Sequence, residues 1–319
     1  MTLKNFFKYV EIQTKTASVT PLLIGTLFAI YRYNSFLLSN FLLMFASLLC
    51  FDMATTAINN YIDYKKSNVI GTEHEAKASN VSVIENGISQ KTARIIIGVL
   101  LTLAIAFGIK LTMNTNMIVL LVGMVSFIIG ILYTFGPIPI SRMPLGEIFS
   151  GFFMGFIILF LAVYINAFDK NIASIAFSGN ILTLNINLLE VLVIFLLSVP
   201  SIACIANIML ANNICDIEED IINNRFTLVY YLGRKNSLFI YKILYYISFI
   251  DIIILVAAGV LPYIMLLSLL TFVIVNKRIK LFYESQVKSK TFVLAIKIFL
   301  TICGSQILLM GVSILLGMR

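Results

Sequence analysis

The chain has 319 residues, 60% of them hydrophobic and 12% charged, with a formal net charge of +8 and a mean hydropathy of +1.00. Soluble domains average about half apolar and a quarter charged, so a soluble globular protein is excluded for most of this length. The basic excess has to be weighed against membrane topology before any nucleic acid is considered.

Residues 1–15 are polar and show no small-residue cleavage site before a short apolar core, so the first apolar stretch reads as a retained span rather than a removed leader. Runs of about 17–25 apolar residues can cross a bilayer. They occur at 17–33, 36–58, 93–111, 116–135, 144–167, 186–211, 237–257, 259–275 and 292–317. The expected fold is all-α, a polytopic membrane protein of about nine transmembrane helices forming one domain over 1–319. Two long polar loops, 59–92 and 212–236, follow the second and sixth spans, and the polar, nearly uncharged stretch 167–187 is expected to be short structured or mobile material.

With the N-terminus on the cytoplasmic side, the cytoplasmic segments and adjoining helix ends hold all but four of the 23 Lys and Arg; only Arg32, Lys110, Lys170 and Arg319 fall outside. This positive-inside bias predicts a multi-pass protein of the cell membrane, its N-terminus and both long loops cytoplasmic. Topology and anionic headgroups then account for the charge, and no nucleic acid is expected as a partner. The four cysteines have no metal-ligand or paired spacing, and three lie in apolar segments, which suits small buried residues.

One phrase recurs, Asn-Asn-x-x-Asp: Asn59, Asn60 and Asp63 after the second span, then Asn212, Asn213 and Asp216 after the sixth. On a helix, residues three and four apart share a face. Asp63 can therefore join Asn59 and Asn60, while Asp216 joins Asn212, Asn213 and Asp220. Carboxylate and amide oxygens suit a hard cation such as Mg²⁺, which usually accompanies phosphate; the plainer reading is solvated acids beside the membrane. Spans two and six are four helices apart and run in the same direction. That pattern predicts a parallel repeat of two four-helix halves plus one helix, with a cavity between the halves.

Asp52 lies inside the second span, seven residues before Asn59 and eleven before Asp63. An intramembrane carboxylate of this kind is a functional candidate, either accepting a substrate hydroxyl or acting as a base; a structural hydrogen bond to a neighbouring helix is the alternative. Tyr133, at the end of the fourth span, could stabilise a carbocation, hydrogen-bond a leaving oxygen, or anchor the interface. Lys15, Lys65, Lys66, Lys77 and Arg225 could clamp phosphate oxygens or serve topology alone. Glu190 and Asp251 read as interfacial or packing residues, and His74 as a solvated loop residue.

The segments "ASVTPLLIGT" (17–26), "INNYIDYKKS" (58–67), "LYTFGPIPISRMPLGEIF" (132–149) and "ANNICDIEEDIINNRFTLVYYLGRK" (211–235) resemble the UbiA superfamily of intramembrane aromatic prenyltransferases. The likeness is greatest to the branch that prenylates 1,4-dihydroxy-2-naphthoate on the way to menaquinone. The resemblance implies a nine-helix bundle in which Mg²⁺ is held by Asp63, Asn59, Asp216, Asp220 and Asn212. It also implies a polyprenyl diphosphate donor at Asn59, Asn212 and Asn213, with Tyr133 matching a catalytic tyrosine; Asn60, Lys15, Lys66, Lys77 and Arg225 are the adjoining residues that could contact the diphosphate, and Asp52 is a further catalytic candidate. The expected product is demethylmenaquinone, for respiration or quinone-dependent electron export, with the lipid tail leaving sideways into the bilayer. Five positions depart from the family pattern. Asn60 and Val69 stand where Asp is usual, Glu11 where many relatives have Arg, Cys215 in place of a frequent Arg, and Phe226 in place of a basic residue; Glu73 or Glu75 could supply the missing charge. Asp52 falls where Gln is frequent. Another aromatic or lipid acceptor, an ion-coupled transporter and an inactive scaffold are the alternatives.

Overall fold

A computed structural model describes residues 2–70, 88–136 and 139–318, without the side chains of residues 63, 66–70, 177 and 178. Expectations placed on the side chains of Asp63, Lys66 and Val69, and on Glu73, His74, Glu75, Lys77, Pro137 and Ile138, lie outside the described residues. The chain forms two compact units, one from residues 1–19 and 42–139, the other from 20–41 and 140–319.

In the first unit, α1 (Leu3–Tyr9) starts at Thr2, whose hydroxyl accepts the Asn5 N–H at 3.3 Å. A 3₁₀ turn, Ile12–Lys15, leads to α2 (Thr16–Tyr33), of which residues from Thr20 on belong to the second unit. The first unit is completed by α3 (Leu38–Ile70) from residue 42 on, by α4 (Gln90–Asn114), and by α5 (Met117–Thr134). Ser89 and Asn116 cap the last two. Tyr9 and Val10 pack against Ala54 and Ala57 of α3 and Ala93, Ile96 and Leu100 of α4. The alanines let the backbones approach, and the Tyr9 hydroxyl donates to the Ala57 carbonyl at 2.9 Å. On the far side of α4, Ile95, Val99, Leu103 and Ile109 remain exposed, as lipid contact requires.

Apolarity ends near residue 58, yet α3 continues to Ile70, so Asn59, Asn60 and Asp63 are helical rather than part of a loop. The reason is local: residues 59–70 contain neither Gly nor Pro, and an apolar run marks where lipid ends, not where a helix must stop.

In the second unit, α6 (Gly146–Ala167) contains a π-helical stretch, Gly151–Ile157. The expected outer loop is a hairpin, β1 (Ala173–Ser178) antiparallel to β2 (Ile181–Ile186), with Ala173 opposite Ile186. Then come α7 (Leu188–Cys215), α8 (Ile217–Ile222) and α9 (Leu228–Ala257), a 3₁₀ stretch Tyr263–Thr271, α10 (Phe272–Glu284) and α11 (Val293–Leu315). The expected loop 212–236 is therefore mostly helical. Within α9 the backbone leaves helical geometry at Gly233 (φ 75°, ψ 159°), so that α9 is two helical stretches joined at a kink just before Arg234 and Lys235. Glu190 has firm partners: Arg32 grips it with two N–H bonds of 3.0 and 2.7 Å, and the Tyr33 hydroxyl donates at 2.6 Å.

Seven helices among the described residues are long and apolar enough to cross a membrane: α3 to Ile62, α4, α5, α6, α7, α9 and α11. Two expected spans look different. The stretch 17–33 is the 18-residue α2, carrying Pro21 and Arg32, and 259–275 is the 3₁₀ stretch entering the basic α10. The polytopic all-α class holds; the count of nine is not established by this measure.

Candidate functional site

The second motif is built by the end of α7. Asn212 and Asn213 occupy its last turn, and Asp216 caps it, its N–H bonding the Asn212 carbonyl at 3.0 Å. One turn later the Asp220 N–H bonds the Asp216 carbonyl at 2.8 Å, and the Arg225 N–H returns to the Asp220 carbonyl at 2.8 Å. The backbone thus threads Asn212, Asp216, Asp220 and Arg225 in succession, spacing the side chains as the sequence predicts.

Both acids are met by cations. The Lys288 ammonium donates to Asp216 Oδ2, and an Arg225 Nη1 stands 3.9 Å from Asp220 Oδ1. Burial pushes the Asp220 carboxyl up to about 6, against the Arg225 guanidinium, which pulls it down. Arg225 Nε is buried and lacks an acceptor among the described residues. Carboxylates that collect cations, beside a guanidinium with an unmade bond, form a donor set that suits a divalent ion carrying an anionic ligand.

Asn213 faces inward. Its Nδ2 donates at 2.8 Å to Oε1 of Glu147, which is 4% exposed and whose other oxygen has no hydrogen-bond partner among the described residues. Glu147 stands outside both Asn-Asn-x-x-Asp phrases and has no spacing partner in the sequence. A carboxylate at the start of an apolar run was the available signal. Lys288 was counted only as topology charge.

The first motif is different. Asn59 is exposed, whereas Asn60 is buried and spends its Nδ2 on the Tyr9 carbonyl at 2.9 Å and on Glu11 Oε1 at 3.2 Å. Positions 11 and 60, which the resemblance led one to expect as Arg and Asp, are therefore in contact with each other. Asp63 lies one turn after Asn59 on the same helix.

Asp52 is enclosed. Lys15, 3% exposed, donates to Asp52 Oδ1 at 2.7 Å, to the Asp52 carbonyl at 3.1 Å and to Thr56 Oγ1 at 2.6 Å, while the Ser18 hydroxyl donates to Oδ2 at 2.6 Å. All three ammonium protons are used, so in this arrangement Lys15 is the counter-ion of Asp52 and has no donor left for phosphate. Tyr133 sits half-buried in the last turn of α5. No group of three His, Cys, Asp or Glu side chains close enough to hold a metal occurs among the described residues.

The model of the UbiA prenyltransferase family matches residues 18–302. The chain is 31% identical over 246 residues to a 1,4-dihydroxy-2-naphthoate octaprenyltransferase of Bacillus subtilis (strain 168), covering 77% of this chain and 71% of that protein. Among solved structures, it superposes on a UbiA homolog from Aeropyrum pernix K1 with a TM-score of 0.68 and 20% identity, covering 93% and 98% of the two chains. It also matches a UbiA homolog from Archaeoglobus fulgidus bound to GPP and Mg²⁺, with a TM-score of 0.62 and 15% identity over 97% and 99%. At these identities the two structures show the fold alone.

Proposed function

The chain belongs to the UbiA prenyltransferase family and is an integral membrane prenyltransferase; from that premise we propose that it transfers a polyprenyl chain from its diphosphate to 1,4-dihydroxy-2-naphthoate. The observation that carries the diphosphate half is the second motif, where Asp216 and Asp220 draw Lys288 and Arg225 and where Arg225 Nε has no acceptor among the described residues. The acceptor half rests on the Bacillus subtilis relative.

Asp216, Asp220 and Asn212 would hold Mg²⁺, with Asp63 and Asn59 in the same role at the first motif. When bound, Mg²⁺ neutralises charge that develops on the diphosphate as the allylic C–O bond breaks. Arg225 supplies a planar donor to the departing phosphate oxygens. Apolar and aromatic walls shelter the allyl cation from water. The electron-rich ring then forms the new C–C bond at its carboxyl-bearing carbon. Loss of the carboxylate as CO₂ returns that bond pair to the ring, giving the hydroquinone form of demethylmenaquinone with no change in the ring's oxidation level. The bias of Lys and Arg toward these helix ends supports reading this chemistry as cytoplasmic.

The test is purified protein with a polyprenyl diphosphate, Mg²⁺ and dihydroxynaphthoate, read by mass spectrometry for prenylated, decarboxylated product. Diphosphate release with hydroxybenzoate or homogentisate but none with the naphthoate replaces the acceptor. No Mg²⁺-dependent diphosphate release with any acceptor removes the transferase reading itself.

A further inference from the structure

The second motif meets its negative charge with a lysine from elsewhere in its own unit. Lys288 lies 72 residues after Asp216, in the segment between α10 and α11, and its ammonium donates to Asp216 Oδ2. Its side chain is 56% exposed and that of Asp216 11%, so the lysine reaches in from solvent over a largely enclosed carboxylate. Lys290, two residues on, forms none of the described ion pairs. Beside this contact, Arg225 keeps its buried Nε without an acceptor among the described residues while its Nη1 stands 3.9 Å from Asp220. One cation is thus seated on the acid proposed as a metal ligand, beside a guanidinium whose buried Nε has no acceptor among the described residues.

We propose that Lys288 is a tethered stand-in for the metal: it holds Asp216 while the protein is metal-free and passes to the phosphate oxygens of the donor when a divalent ion takes that carboxylate. The inference rests on the diphosphate reading. An ammonium and a divalent cation compete for the same carboxylate lone pairs, and each weakens the other's hold. Lysine suits such an exchange because its charge is compact, its stem flexible, and its three donors rotate freely. Once displaced, the ammonium finds in a metal-bound diphosphate a denser set of anionic acceptors than Asp216 alone offers. Lys288 then binds the substrate, and the same side chain slows occupation of the site by metal that arrives without it. Only ion pairs exchange, and no covalent bond changes.

The experiment uses the full chain in detergent, Mn²⁺ as a paramagnetic probe of the divalent site, and inorganic pyrophosphate in place of the donor. Affinities are measured by electron paramagnetic resonance and calorimetry for the parent, Lys288→Gln and Lys290→Gln. Without pyrophosphate, Lys288→Gln binds Mn²⁺ about two- to fivefold more tightly, the range a partly exposed ion pair commands. With Mn²⁺ saturating, it binds pyrophosphate about two- to fivefold more weakly, as loss of one partly exposed ion pair implies. Lys290→Gln matches the parent in both. Unchanged or weaker Mn²⁺ binding by Lys288→Gln, or unchanged pyrophosphate binding, overturns the exchange while leaving the diphosphate reading intact. A parent protein that binds Mn²⁺ but no pyrophosphate overturns both.

Discussion

Glu147 Oε1 accepts a 2.8 Å hydrogen bond from Asn213 Nδ2, joining the start of α6 to the last turn of α7. Both side chains are buried, so the second motif is braced from behind by a carboxylate that its own phrase does not contain. Replacing Glu147 by Ala leaves the Asn213 amide without its acceptor, at a cost of about 1–3 kcal/mol. The adjoining acids lose their alignment with it, and misplacement near 1 Å costs about 10²-fold in rate. Glu147→Gln retains an acceptor oxygen at the same reach. We expect Glu147→Ala to lower kcat by one to two orders of magnitude, with Glu147→Gln in between; thermal unfolding in detergent and steady-state prenyl transfer check this.

Lys15 and Asp52 form a buried pair completed by Ser18 and Thr56. Removing one partner of such a pair strands a charge at about 3–5 kcal/mol, whereas removing both is far milder. Lys15→Met therefore unfolds at markedly lower temperature, and Lys15→Met with Asp52→Asn recovers most of the loss. The folded double variant is expected to retain activity within about tenfold, since all three Lys15 donors are used and both Asp52 oxygens are already engaged by Lys15 and Ser18. A loss of a thousandfold in a well-folded double variant would reassign Asp52 to the chemistry.

Asn60 and Glu11 depart together from the expected Asp and Arg, and they touch at 3.2 Å. A change at one position alone sets like charges together or removes the acceptor. Asn60→Asp places a second carboxylate against Glu11, and Glu11→Arg faces the Asn60 amide with another donor. Each single change is expected to cost about 1–2 kcal/mol, and the double change to restore most of it, a coupling that a double-mutant cycle reads directly. Additive losses would show that the two departures arose independently.

Asp220 has a folded-state carboxyl raised to about 6 from its ordinary 3.8 by burial. The sign follows from linkage: a raised carboxyl favours the protonated folded state, so this contribution is present below pH 4 and is lost as pH rises through 6. In metal-free protein, Asp220→Asn should therefore be more stable than the parent above pH 7, by an upper limit of roughly 2–3 kcal/mol, and equal to it near pH 4. Unfolding temperatures of the two proteins across pH 4–8, in the presence of a chelator, test it.

The long apolar runs made the membrane class and most helix positions legible, because a lipid-facing helix must be apolar over its whole crossing. Helix ends were less so. Asn59 to Ile70 and Leu228 to Ser237 are polar enough to read as loops, but apart from the break at Gly233 their backbones are helical. The second motif was legible because its spacing of three and four survives folding in α7 and α8. The partners Glu147, Lys288 and Ser18 were not, since each comes from another part of the chain and only packing brings it close. For Lys15 and Asp52 the residue types were visible, but that they satisfy each other was not.

The close approach of α6 to α7 has a consequence for which sequences can share this site. A Cβ at Gly155 would lie 2.6 Å from Ile202 Cα, and one at Gly151 2.9 Å from the Ile202 carbonyl oxygen. Those obstacles are backbone, which no change of side chain at position 202 can clear. The spacing that lets Glu147 reach Asn213 is thus insured by absence of bulk, and compensating mutations cannot substitute for it. An alanine at either position would have to push α6 and α7 apart, and with them the Glu147–Asn213 contact.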